Sequence, residues 1–422
     1  MAQQVINNGE SGFAVRTKLN ENFAEVYAKT GYVRDMRDFG VEADGVADDT
    51  AAINNAIDAM ETQGGGILWA PAGGVSLTTG ITRTAQNGKP WLIATAGKGA
   101  YTMRKTGAGT GPVFTLNGPG SPSGADWYGG FSGVSFDGLS TAASEAALRL
   151  NGVARCVTDR LMFLNSFRGC EVIGSLVLNF NDCSALGNGD GYYTANSVPL
   201  GLYANLITWL GGESRGNAGW GFNLGGGEAH KISGTDTSGN GTAGTGFTGA
   251  LHLRSSVDDE TGIASVLLEN LYIEANKSRA VLVENNSGLR LKLQNVGVLG
   301  HLPEVGFPPI EVVGTASVSI ADSRLLCDTA LNASRSAVVE SLITDLTDNS
   351  TVRYHRNVSG SGPDTRYSVA NGALQVDLNS FAVLGNTPRG KYTLPANATD
   401  LASALTLANE LKAMATAFGF AP

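Results

Sequence analysis

Arg34-Asp-Met-Arg-Asp-Phe-Gly-Val-Glu-Ala-Asp-Gly-Val-Ala-Asp-Asp-Thr-Ala-Ala-Ile-Asn-Asn-Ala-Ile57, followed by Gly64-Gly-Gly-Ile-Leu-Trp-Ala-Pro-Ala-Gly73, decides how the rest of the chain is read. Asp48, Asp49 and Thr50 place cap-type side chains ahead of a helical run. Ala51, Ala52, Ile53, Ala56, Ile57 and Met60 follow helical spacing, so one face of that helix is buried. Gly64 to Gly66 end it and turn the chain sharply. Ile67, Leu68 and Trp69 then read as a buried strand. Asp44, Asp48 and Asp49 read as turn and cap residues rather than metal ligands.

Composition narrows the class. Among 422 residues there are 57 glycines, 16% are charged and the formal charge is −9. Many glycines and few charges suit stacked strands joined by tight turns. The acidic balance argues against a nucleic-acid backbone as partner. The four cysteines, Cys156, Cys170, Cys183 and Cys327, form no Cys-x-x-Cys pair and have no histidine cluster beside them. They read as small core residues rather than as a zinc site or a disulfide frame. No metal and no cofactor is expected. No signal-peptide pattern opens the chain and no long apolar span occurs, so membrane insertion is not expected.

Five segments repeat a pattern of strand, Asn, small turn and strand. They are centred on Asn165, Asn188, Asn217, Asn240 and Asn276. The spacing between successive Asn residues suits coils of about twenty to twenty-five residues, some carrying inserted loops. Asn tolerates the left-handed turn conformation and can stack on the Asn of the next coil. Strand alternation then assigns faces. The positions one and three before each Asn read as inside: Leu164 and Met162, Gly187 and Ala185, Gly216 and Ser214, Gly239 and Thr237, Ala275 and Ile273. The positions two and four before it read as outside: Phe163 and Leu161, Leu186 and Ser184, Arg215 and Glu213, Ser238 and Asp236, Glu274 and Tyr272.

That outer column carries the candidate chemistry. Glu213 and Asp236 share a register on adjacent coils, so their backbones lie about 4.8 Å apart. Glu274 is one coil further and two positions along, roughly 8 Å from Asp236. Carboxylate pairs near 5 Å suit retaining glycoside hydrolysis, and wider pairs suit inversion. A general acid must keep its proton, and stacked like charges favour that. Arg215 is placed to orient a sugar acid. Tyr272, Phe163, Trp209 and Trp220 are expected to stack on sugar rings, and the loops before Leu202 and over 254–261 to wall the groove. A solvated polar face is the plain reading of the same residues. Asp190, Glu284, Glu311 and the acidic run at 258–260 are weaker candidates. His230, His252, His301 and His355 make no triad-like or metal-spaced set.

The opening stretch closely resembles the first segment of pectate-lyase-like right-handed parallel β-helices, in the version found in bacteriophage tailspikes and tail fibres. Such a helix caps the first coil, which would otherwise expose its core and a strand edge. Residues 1–30, with Val15, Leu19, Phe23 and Val26 at helical spacing, resemble an N-terminal virion-attachment module that meets a phage tail or baseplate protein. Residues 31–334 read as the β-helix, with its cap at 31–75, and 335–396 as a small β-region. In 397–422, Leu401, Ala404, Ala408, Leu411, Ala415 and Phe418 form an a/d seam suited to a trimer contact.

The resemblance thus implies an all-β solenoid with terminal helix, assembled as a homotrimer on the virion tail. Such a protein is made in the host cytoplasm and contacts a bacterial surface polysaccharide, capsule or O-antigen. It implies a depolymerase that works by glycoside hydrolysis. A non-catalytic receptor-binding spike is the alternative, and a polysaccharide lyase the third. A cellular pectin-type lyase is disfavoured by the absent signal peptide. The opening motif carries fold, not chemistry.

Overall fold

The computed structural model describes residues 32–299, apart from 108–109, 120–126, 198, 243–247, 256–260 and 278, and the backbone of strands between 310 and 376. These belong almost wholly to Met1–Gln375, the first of two compact units. The expected attachment module at 1–30 and terminal helix at 397–422 lie outside the described residues.

The solenoid begins under helix α1, Thr50–Gln63, which buries Ile53, Ala56, Ile57 and Met60. Its N-terminus differs in detail from the sequence reading. Asp49 makes no side-chain cap bond. Its carboxylate instead accepts the N–H groups of Glu42 and Ala43, at 2.8 and 3.0 Å. Asp48 receives the Thr50 N–H at 3.0 Å. Gly64, at φ 96°, closes the helix in the left-handed region. Glu61 is buried and ties the cap to the first coils by accepting from Arg83 (2.8 Å), Gln86 (2.9 Å) and the Trp91 indole (3.0 Å). Of the strand after it, only Leu68 points fully inward, and Trp69 is 42% exposed. A single strand wall alternates, so three consecutive apolar residues do not all reach the core.

Every coil that follows supplies three strands, and like strands stack in parallel. Wall 1 contains Val157–Asp159, Leu176–Asn181, Asn205–Leu210, Ala229–Ser233 and Ser265–Glu269. Wall 2 contains Met162–Leu164, Ser184–Leu186, Glu213–Arg215, Asp236–Ser238 and Tyr272–Glu274. Wall 3 contains Arg168–Ile173, Asp190–Ala195, Trp220–Gly225 and Gly249–Arg254. Wall 2 is a separate eleven-stranded sheet, Asp44–Asp48 to Arg324–Leu325. Walls 3 and 1 merge into one sheet, because the strands Arg279–Gln294 and Ile310–Ala321 run round the corner between them. The result is an all-β parallel β-helix. Beyond it, Val338–Ile343 pairs antiparallel with Tyr354–Val358, and Thr329–Ala333 with Thr365–Ala370.

The Asn repeat becomes a buried ladder at the corner from wall 2 to wall 3. The side-chain amide of Asn188 donates to the Asn217 Oδ1 at 3.1 Å, Asn217 to Asn240 at 2.8 Å, and Asn240 to Asn276 at 3.0 Å. Each of these Oδ1 atoms also takes a main-chain N–H from the coil before, at 2.9 to 3.1 Å. The first rung is Ser166, whose N–H donates to Asn188, and not Asn165. Asn165 sits at φ 50° in the column of Gly187, Gly216 and Gly239, where the turn needs a left-handed residue.

This one-residue offset reverses the faces of the first coil. Phe163 aligns with Ala185, Ser214 and Thr237. It is therefore buried, while Met162 and Leu164 lie half-buried on the outside. In the later coils Ala185, Ser214, Thr237 and Ile273 point inward as expected. Cys156, Cys170 and Cys183 are free and buried, with burial pushing the Cys183 thiol up to about 12.

Candidate functional site

Parallel register places the acids of wall 2 on one outward strip. Glu213 pairs directly with Asp236, Asp236 with Tyr272, and Ser238 with Glu274. The carboxylates of Glu213 and Asp236 therefore leave neighbouring strands at the same height along those strands, with backbones about 4.8 Å apart. Both residues are half-buried. The Ser184 hydroxyl donates to Glu213 Oε1 at 3.2 Å. Asp236 Oδ1 is buried and has no hydrogen-bond partner among the described residues. Tyr272 is 41% exposed. Partial desolvation raises its hydroxyl above the ordinary tyrosine value, and the charge and hydrogen bond of Glu274, with Asp236 behind it, add to this. Arg215 stands exposed at the far end of the strip.

Three of the aromatic residues expected there are elsewhere. Phe163 is in the core, stacked on Phe136 at 6.3 Å between centroids. Trp209 lines the inside of wall 1, stacked on Phe180 at 5.7 Å. Trp220 is buried against the His252 ring at 4.8 Å. None has a free ring face for a sugar. Proximity of Trp209 and Trp220 in sequence misleads here, because wall alternation and coil corners decide direction. The loop before Leu202 does not wall the strip either. It packs at the corner from wall 3 to wall 1, where Leu200 and Leu202 approach Gly152. Residues 256–260 lie outside the described residues.

Wall 3 holds a polar cluster that the repeat did not reveal. Glu171 is buried and forms ion pairs with Arg149 and Arg168. Arg168 lies 3.6 Å and Arg254 4.9 Å from the Tyr193 ring centroid. Arg254 Nε donates to Asn223, and Asn223 to Asp190, each at 2.7 Å. His252 and Glu284 pair at 3.0 Å, and the histidine holds the Glu284 carboxyl below its usual value. Register explains the grouping: Arg149, Glu171, Tyr193, Asn223 and His252 occupy one column. Asp190 and Glu284 stood out in the sequence only as isolated acids, and nothing there joined them to each other or to Glu171. Nearly every polar group in the cluster is paired within it, so it fixes wall 3 more than it offers a reactive group. Among the described residues, no three His, Cys, Asp or Glu side chains converge as a metal site.

Residues 33–109 match the family model described as rhamnogalacturonase A/epimerase, pectate lyase-like. A segment of 38 residues is 58% identical to mannuronan C5-epimerase AlgE1 of Azotobacter vinelandii, covering 9% of this chain and 3% of that protein. Among solved structures, the ORF18 protein of Geobacillus virus E2 superposes with a TM-score of 0.53 at 14% identity, over 93% of this chain and 84% of the other. The gp42 tailspike of Acinetobacter phage vb_AbaP_AS12 superposes with a TM-score of 0.54 at 10% identity, over 83% of this chain and 68% of the other. The fold is therefore a parallel β-helix of the kind seen in these two proteins of bacterial viruses, and its first coils match a pectate-lyase-like model.

Proposed function

We propose that this chain is a phage tailspike that binds a bacterial surface polysaccharide and cleaves it on wall 2 with Glu213, Asp236 and Glu274. The observation that carries the reading is the in-register stack of Glu213 on Asp236, flanked by exposed Tyr272. Parallel strands about 4.8 Å apart bring two carboxyl groups near the separation of retaining glycoside hydrolysis. The desolvated, unpartnered Asp236 Oδ1 has capacity to accept a bond from substrate. Tyr272 offers a ring beside the acids, and Arg215 a cation for an acidic sugar. The likeness to a phage tailspike and to a protein of a second phage supports a place on the virion tail. The matches to rhamnogalacturonase A/epimerase and mannuronan epimerase support a saccharide as ligand.

The test is incubation with purified capsule or O-antigen of the host. New reducing ends mark hydrolysis, unsaturated ends mark elimination, and binding without either marks an adhesive spike. General acid–base groups contribute about 100-fold or more to turnover. Glu213→Gln, Asp236→Asn and Glu274→Gln should therefore each lower turnover by at least about that factor. Turnover within a few-fold of the parent in all three removes the ridge as the site.

A further inference from the structure

The corner from wall 1 to wall 2 changes character along the solenoid. In the coils near α1 it carries insertions, residues 70–74 and 95–100. From Gly133 onward it shrinks to one or two residues, as at Asp182-Cys183, Gly211-Gly212 and Gly234-Thr235. The second insertion, Thr95-Ala-Gly-Lys-Gly-Ala100, does not stay beside its own coil. It climbs as a strap over the coils that follow.

Its course is set by three contacts. On the first coil above, a Cβ on Gly133 would stand 2.6 Å from the Gly97 carbonyl oxygen. A Cβ on Gly99 would stand 2.5 Å from Met162 Sδ, on the second coil, and 3.2 Å from Ser135 Oγ. The absence of that atom, with φ at 68°, lets the strap lie flat on wall 2. On the third coil, Lys98 Nζ meets Asp182 Oδ1 at 2.8 Å. Ser135, under the strap, is 2% exposed.

The strap rests on the column that carries the acids. Ser135, Met162, Ser184, Glu213, Asp236 and Tyr272 follow one another in register. The strap backbone at Met162 is therefore two strands from Glu213, about 9.6 Å. The Lys98–Asp182 pair lies at the corner, on the coil that contributes Ser184, one strand below Glu213. In the other direction the column runs on from Tyr272 to Gly297, which presents no side chain. The corners there hold two residues each and add nothing above the wall. One end of the ridge is walled and the other is open.

We infer that the strap 95–100 is the end wall of the ridge, so that this chain removes one or two sugar residues at a time from the end of a polysaccharide instead of cutting within it. This specificity rests on the proposed function of the ridge and deepens it. The space between strap and Glu213 has the length of one or two pyranose rings. The terminal sugars fill it, the bond to be cut lies between Glu213 and Asp236, and the rest of the glycan leaves over Tyr272 and Gly297. Each cut consumes one water: the glycosidic C–O bond breaks, the departing oxygen gains a proton, and the anomeric carbon gains a hydroxyl. Cutting within a chain needs the glycan to continue past Glu213 in both directions, and the surface over Ser135 and Met162 is already occupied.

The test is the size of the products from purified capsule or O-antigen of the host. At early times the parent should release fragments of one or two sugars by mass spectrometry, while the size-exclusion peak of the polymer hardly moves. Deleting residues 96–99 leaves Thr95-Ala100, a two-residue corner like those of the coils above. For the same number of new chain ends, that variant should lower the mean polymer size several-fold further than the parent. Lys98→Ala and Asp182→Ala should each lengthen the fragments, and the double variant no more than either, because they break one contact. A strap that only stabilises the fold would change the melting temperature and leave fragment length alone. Where the deletion fails to fold, the parent and the point variants decide. Long early fragments from the parent overturn the inference, and so do unchanged fragments in the variants. Long fragments together with lost turnover in Glu213→Gln keep the ridge and remove the end wall. A parent that cuts nothing removes both.

Discussion

Replacing Asn217 by alanine tests the ladder that holds the coils in register. Asn217 is 1% exposed. Its Oδ1 accepts the Asn188 main-chain N–H at 3.0 Å and the Asn188 amide at 3.1 Å. Its own amide donates to Ala185 O at 3.2 Å, Ser214 Oγ at 3.1 Å and Asn240 Oδ1 at 2.8 Å. Alanine removes all of these. Asn240 Oδ1 keeps the Asn217 main-chain N–H at 3.1 Å, so that acceptor is not orphaned. Two donors are: the main-chain N–H of Asn188 and one hydrogen of its amide. A buried unpaired donor costs about 1–3 kcal/mol, so Asn217→Ala should lose about 4 kcal/mol. That is a large part of the 5–15 kcal/mol typical of a folded domain.

Urea unfolding measures the loss, or the unfolding rate where refolding fails. Hydrogen exchange at the Asn188 amide should quicken in parallel. Asn181→Ala is the control, since Asn181 is exposed and should stay within about 0.5 kcal/mol of the parent. Asn217→Asp puts a carboxylate against acceptors. Burial favours its protonated form, so the variant should lose stability as pH rises above about 4. A cost below about 1 kcal/mol for Asn217→Ala, with Asn188 protection unchanged, would refute the ladder's role.

Glu171→Gln leaves Arg149 and Arg168 facing a neutral amide, and should cost about 3 kcal/mol by the same denaturation assay; a value near zero would mean the wall 3 cluster is held by Tyr193 stacking instead. Burial lowers His230 to about 4, so it is neutral when folded. Its unfolded form binds a proton below about 6.5, so stability should fall as pH drops from there towards 4, by about 2 kcal/mol between pH 7.5 and pH 5. His230→Gln should remove that slope, and an unchanged slope would assign it to another group.

The helix cap, the coil and the Asn corner were legible because each is local. Glycines at positive φ, a period of about one coil and a cap helix are written in short runs of sequence. The Asn column could even be counted, but not its start. Asn165 and Asn188 look equivalent in the chain, and only the hydrogen bond from Ser166 to Asn188 shows that Asn165 fills a glycine position. That single residue decided that Phe163 faces the core.

The ridge acids were legible for the same reason, since in-register stacking follows from a fixed offset to the turn. Phe163, Trp209 and Trp220 were not, because an aromatic residue reads alike whether it fills a solenoid core or a sugar site. Wall 3 was hidden more completely. Arg149, Glu171, Tyr193, Asn223 and His252 are far apart along the chain and share no turn motif. Inserted loops of unequal length sit between them, so only the closed coils set them in one column. Sequence fixes what each turn does locally, whereas neighbours between coils depend on the length of every insertion in between.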